Sequence, residues 1–197
     1  MKTILKPAVY KILNLFYKNK NTPLHLRDIS RKTGMNESSI FRQLNILVKS
    51  GILKSHLEAN LKKFKLNTLI LPDIFPLFDQ ERIQNLPLLR KNALKYYLEQ
   101  LPVKPLLAIV FGSTAKGTFR DDSDLDLLII TNSNQKDIEA KKYVSALTNM
   151  RIQSFTLTEK RFKQELLTKQ DKVVQSALET GFPIFNAKYF YEVIYHG

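Results

Sequence analysis

Asp124 and Asp126 open an apolar run that continues to Thr131. Residues two apart on a strand project from one face, so the two carboxylates point the same way. Burying them without cations would be costly. A hard divalent ion removes that cost, and Mg²⁺ takes one or two carboxylates together with substrate phosphates. Just upstream, Gly112-Ser113 closes another apolar run, Leu106 to Phe111. Glycine at a strand's end lets a backbone approach closely. Ser113 can begin a helix, whose N-terminal N–H groups suit an anion such as a triphosphate. The Ser113 hydroxyl adds a donor, Lys116 adds a positive charge one turn on, and Gly117 permits the turn that follows. These residue types at this spacing imply a phosphate cradle facing a metal platform.

The elements that must hold these residues follow from the apolar pattern. Leu106 to Phe111, bounded by Pro105 and Gly112, predicts a buried strand, and Asp124 to Thr131 predicts a second. Leu88 to Leu101 reads as an amphipathic helix with Leu94, Leu98 and Leu101 on one stripe, delimited by Pro102 and Pro105. Residues 68–104 as a whole are expected to form a packed connector. Pro72, Pro76 and Pro87 break long helices there, while Phe75, Phe78 and several leucines are too apolar for a free linker. Further on, Arg151 to Leu157 predicts a strand before a helix that starts near Glu159. Val173 to Thr180 predicts a helix and Gly181 to Phe185 a short edge strand. Tyr189, Tyr191 and Tyr195 fall on a last helix and are read as core or interface residues.

Gly112-Ser113, the ten residues Thr114 to Ser123, then Asp124-Leu125-Asp126 form a pattern that resembles the nucleotidyltransferase superfamily that includes the β-type DNA polymerases. More narrowly it resembles the minimal nucleotidyltransferases of archaea and bacteria. Ala115-Lys116-Gly117 and Asp122-Ser123 share in the resemblance, with Lys116 where arginine is common. The resemblance covers about residues 90 to 195. It implies transfer of a nucleoside monophosphate from an NTP, ATP foremost, to an acceptor hydroxyl. It also implies Asp124 and Asp126 as catalytic residues and ligands of Mg²⁺ or Mn²⁺, with Gly112, Ser113, Lys116 and Ser123 as nucleotide contacts. Active members carry a third carboxylate on a later strand. The aligned position here is Gln153, or Ser154 if the register slips by one, and neither is an acid. Glu139 and Glu159 are poorly placed as substitutes. Some relatives are antitoxins that adenylylate a partner toxin, so a protein partner belongs among the expectations.

Charge divides the chain. From Met1 to Asn67 there are 14 Lys and Arg against 3 Asp and Glu, and from Thr68 to Gly197 there are 17 against 15. A segregated excess of this kind points to one module that faces a polyanion. In that module Ala8 to Lys18 places Val9, Ile12, Leu13 and Phe16 on one helical face. A break at Asn19 to Pro23 precedes a second helix, Leu24 to Thr33, which Gly34 ends. Asn36 is a good N-cap for a third helix. Its Ile40, Leu44, Leu47 and Val48 face inward, and Gly51 stops it. Ile52 to Ser55 and Leu61 to Leu66 read as strands joined through His56 to Asn60.

This order resembles the winged helix-turn-helix domains of prokaryotic transcription regulators, over about residues 5 to 67. It implies a third helix in the major groove, with Ser38, Ser39, Arg42, Gln43 and Lys49 toward DNA. Lys62 and Lys63, with Lys54, would touch phosphates from the wing. His25 and His56 lack partners at metal spacing and are read as surface or hinge residues.

The expected fold is therefore α/β (α+β): a winged helix-turn-helix over 1–67, the connector over 68–104, and over 105–197 a nucleotidyltransferase fold with a small mixed sheet flanked by helices. The composition, 44% apolar and 25% charged, suits a globular protein. No apolar run approaches a membrane span. The N-terminus lacks the apolar core of a signal peptide, so the chain is expected in the cytoplasm. With no cysteine there is no disulfide, thiolate metal site or thiol nucleophile. Two functions remain open. One is an enzyme tethered to DNA or RNA through residues 1–67 and acting on a protein, nucleic-acid or small-molecule hydroxyl. The other is a winged-helix regulator whose degenerate nucleotidyltransferase domain senses a nucleotide or mediates dimerisation, a homodimer suiting two half-sites.

Overall fold

The structure, a computed structural model, describes residues 5–20, 22–134 and 136–196. Met1–Ile4 and Asn21 of the expected helix-turn-helix segment lie outside the described residues, as do Gln135 and Gly197 of the expected third segment. Two compact units make up the chain, Met1–Phe78 and Asp79–Gly197. No helix among the described residues is long and apolar enough to cross a membrane.

The first unit opens with α1 (Pro7–Lys18), whose Ile12, Leu13 and Phe16 are buried. The expected second helix starts later than its sequence suggests. Leu24–His25 is instead a short strand, β1, and α2 runs from Leu26 to Thr33. The cause is local: Leu24 pairs with Phe64 of a later strand, and the His25 imidazole accepts the Asp28 N–H as the helix cap. Gly34 ends α2 in the left-handed conformation. The Asn36 side chain caps α3 (Glu37–Lys49) by accepting the Ser39 N–H at 2.8 Å. Ile40, Leu44 and Leu47 of α3 are buried.

A hairpin follows, β2 (Leu53–Glu58) and β3 (Leu61–Leu66); β3 has the expected bounds, and β2 runs on past Ser55 to Glu58. Only Ala59 and Asn60 form the turn, both with positive φ, as a two-residue hairpin connection demands. Joined by β1, the expected two-stranded ribbon becomes a three-stranded sheet in the order β1-β3-β2. A short 3₁₀ turn, Thr68–Ile70, leads into α4 (Leu71–Asn85). Here the proline density does not break the helix. Pro72 sits in the first turn, where no intrahelical N–H bond is lost, and Pro76 forfeits a single bond. Burial of Leu71, Phe75 and Phe78, with Phe75 and Phe78 against Tyr17, offsets that loss. The boundary between the two units falls within α4.

The second unit begins inside that helix. Buried Asp79 accepts the Tyr191 hydroxyl, and Arg82 donates to the Ala115 carbonyl at 2.8 Å while lying over the Phe182 ring. Next come α5 (Leu88–Gln100), β4 (Leu107–Phe111), α6 (Gly112–Lys116) and β5 (Leu125–Ile130). They are followed by α7 (Ile138–Thr148), β6 (Ile152–Leu157), α8 (Glu159–Thr168), α9 (Lys172–Thr180), β7 (Phe182–Phe185) and α10 (Ala187–His196). The four strands form one mixed sheet in the order β6-β5-β4-β7, with only β5 and β6 parallel. One face, carrying Ala108, Val110, Leu125, Leu127 and Ile129, packs on α5 and α7. Strand alternation sends Asp126, Leu128 and Ile130 to the other face.

Candidate active site and nucleic-acid surface

Strands β4 and β5 bring the two halves of the sequence pattern together. Phe111, the last residue of β4, pairs with Asp126 of β5. The chain then turns at Gly112 with φ +64, a conformation that other residues adopt only under strain. A side chain there would overlap Asp126 Oδ2, so the glycine backbone lies directly against the carboxylate. Ser113 follows in α6, which Gly117 ends with φ +72. Lys116 is exposed in that last turn. In the loop back to β5, the Arg120 N–H donates to Ser123 Oγ at 2.8 Å. The Ser123 oxygen is thus engaged within the loop, and its O–H remains to donate elsewhere. Asp124 Oδ1 lies 3.1 Å from Arg151 Nε. Both aspartates are half-buried.

The electrostatics of the pair suit a cation. Burial, and then the charge of Asp124, raise the Asp126 carboxyl above the ordinary carboxylate range. Among the described residues no three His, Asp or Glu gather as a metal cage. Two carboxylates with room for phosphate oxygens and water are nonetheless the donor set that Mg²⁺ accepts. Asp124 and Asp126 could therefore hold Mg²⁺ or Mn²⁺.

In the first unit, Ser38, Arg42 and Lys49 are exposed on α3, with Ser39 and Gln43 half-buried beside them and Phe41 and Ile46 also outward. Lys62 and Lys63, adjacent on β3, point to opposite faces of the sheet. Lys62 lies 5.6 Å from the Phe64 ring centroid. Lys63 shares the other face with its cross-strand neighbours His25 and His56, and its Nζ is 2.6 Å from Glu58. On that same face Lys54 and Lys65 are directly opposite one another and both exposed. Like charges so placed repel unless an anion lies over them.

Two family models match the chain: residues 90–185 match a nucleotidyltransferase domain, and residues 10–56 match an IclR helix-turn-helix domain. The chain is a helix-turn-helix and nucleotidyltransferase fusion. No curated protein and no solved structure matches it.

Within the nucleotidyltransferase domain, β5 and β6 decide which residue takes the third position. Asp126 pairs in register with Gln153, so both lie on one face. Ser154 lies on the other face, where its hydroxyl donates to Asp137 Oδ2 at 2.6 Å. Exposed Gln153 is therefore the neutral neighbour of the aspartates. Glu159 is held elsewhere by Tyr189 and Lys163, and Glu139 by Lys142.

Two clusters escaped the sequence pattern. The first is Arg90, buried beneath the loop that leads to Asp124. Its position at i with Ala93, Leu94 and Tyr97 at i+3, i+4 and i+7 is a core-stripe signal that could have found it. The second is Asp137, the acceptor of both Tyr97 and Ser154 hydroxyls and 3.2 Å from Lys141. Although burial opposes it, Ser154, Tyr97 and Lys141 hold its carboxyl below the usual range. A cavity of about 530 Å³ opens beside it at the carboxyl ends of β5 and β6, away from Asp126 at the amino end of β5.

Proposed function

We propose that this fusion transfers a nucleoside monophosphate from an NTP, ATP foremost, to an acceptor hydroxyl while residues 1–67 hold DNA. The observation that carries the reading is the contact of the Gly112 backbone with Asp126, with Asp124 two residues away. Gly112 and Ser113 would receive the phosphates, with Lys116 and Ser123 adding a charge and a donor. Asp124 and Asp126 would hold Mg²⁺ or Mn²⁺. When bound, that ion neutralises the triphosphate and makes the attacking oxygen more acidic. The residues themselves position and neutralise, which is most of what this chemistry requires. Ser38, Ser39, Arg42, Gln43 and Lys49 would face the major groove, and Lys62 and Lys63 the phosphates. A cytoplasmic location, a toxin-like protein acceptor and a homodimer on two half-sites accompany this reading.

Gln153 favours a second reading: a DNA-binding regulator that binds nucleotide without turnover. Labelled ATP, CTP, GTP or UTP incubated with the protein, Mg²⁺ and cell lysate separates the two. Transfer that disappears in Asp124→Ala/Asp126→Ala supports the enzyme. No transfer from any NTP, together with tight binding to a specific duplex, overturns it in favour of the regulator.

A further inference from the structure

Arg90 is 2% exposed, and among the described residues no other cation is buried to this degree. It projects from α5, yet its partners all lie in the ten-residue interval between Gly112-Ser113 and Asp124. Nη1 donates to Thr114 Oγ1 at 2.8 Å, and Nη2 donates to the carbonyls of Arg120 at 2.8 Å and Ser123 at 3.2 Å. The guanidinium stands 4.0 Å from the Phe119 ring centroid. One rigid fork thus ties the α6 helix to both ends of the 120–123 turn. Lysine has no such fork, since its ammonium is a single point with rotatable donors.

The charge of this group is as informative as its shape. Every hydrogen-bond partner is a neutral oxygen, and burial lowers the Arg90 pKa while Asp121 opposes the shift. A buried cation whose hydrogen-bond partners are all neutral is costly to desolvate, a cost set against the three acceptors that the fork satisfies. Asp121 acts on it as an opposite charge, and a polyanion across the loop would add to that complement.

We propose that Arg90 is a positioning residue of the nucleotide site. It fixes the interval 114–123, and with it the separation of Ser113 from Asp124, and it places a fixed positive charge behind the loop that faces a triphosphate. The inference rests on the nucleotide site proposed above.

Arg90→Lys keeps the charge and removes the fork, and Thr114→Val removes a single partner, so both variants keep the test open if Arg90→Met fails to fold. Affinity for Mg²⁺–ATP would be measured on the full chain at a temperature where near-UV circular dichroism matches the wild type. Hydrogen exchange would be followed by mass spectrometry in parallel. For Arg90→Lys, affinity should fall by on the order of tenfold or more, with faster exchange confined to residues 114–124 and a smaller effect in Thr114→Val. Wild-type affinity in Arg90→Lys overturns the proposal, as does exchange that rises throughout the second unit in step with a lower melting temperature. If the wild type binds no NTP, the nucleotide reading itself fails. Exchange confined to 114–124 then still supports Arg90 as the residue that sets this interval, and unchanged exchange there rejects it.

Discussion

Gly112 and Asp126 constrain each other, and each constraint can be measured. Gly112→Ala would force the carboxylate aside and strain a backbone at φ +64. Metal–nucleotide affinity should fall sharply, with a stability loss of about 1–2 kcal/mol from the left-handed conformation, read by calorimetry and thermal melts. Asp126→Asn should behave in the opposite sense for stability. Its folded-state carboxyl is raised by burial and by Asp124, so its contribution is fully present below the unfolded pKa and lost as pH rises through the folded value. The Asn variant removes that loss. Melts between acid and neutral pH should therefore show the variant gaining on the wild type as pH rises, while metal binding disappears. A difference between variant and wild type that stays constant from acid to neutral pH would refute the raised carboxyl. Gln153→Asp would set a third acid beside Asp126, tightening Mn²⁺ binding and lowering the melting temperature, because like charges at close range disfavour ionisation.

The nucleic-acid prediction belongs to α3 and the hairpin. Arg42→Ala should weaken duplex binding by on the order of tenfold, measured by fluorescence anisotropy. Lys54→Ala or Lys65→Ala should weaken all sequences alike and flatten the log affinity against log salt slope by about one. Salt-insensitive binding would remove the polyanion role. At this scale much was legible in the sequence. The stripe Ile40, Leu44, Leu47 announced α3, and the apolar runs 106–111 and 124–131 announced β4 and β5, because a buried face imposes its period on the chain. What was not legible depended on distant partners. Leu24–His25 becomes a strand only because Phe64 and Lys63 lie beside it. The hairpin turn at Ala59-Asn60 lacks the glycine that usually reveals such a turn. Pro76 reads as a helix breaker until the burial of Phe75 and Phe78 is known. In the candidate site, Gly112-Ser113 and Asp124-Asp126 stood out by spacing, whereas Arg90 did not. Its place on the Ala93, Leu94 and Tyr97 stripe marks it as inward-facing, but the oxygens it serves are distant in sequence and only the fold brings them to it.

Across the whole molecule, the basic excess of the first 67 residues and the near balance of the rest accompany two domain types. If the two activities draw on separate residues, Asp124→Ala/Asp126→Ala should abolish metal–nucleotide binding and leave duplex affinity and its salt dependence at the wild-type level. A loss of duplex binding in that double variant would show that the aspartates serve both. The pairing of Gln153 with Asp126 also bears on how such a protein changes over generations. Glutamine and glutamate codons differ only in their first base. One point mutation in the gene would place a carboxylate in register with Asp126 without moving a strand. The acidity of the strand position beside Asp126 is therefore one base change away in either direction.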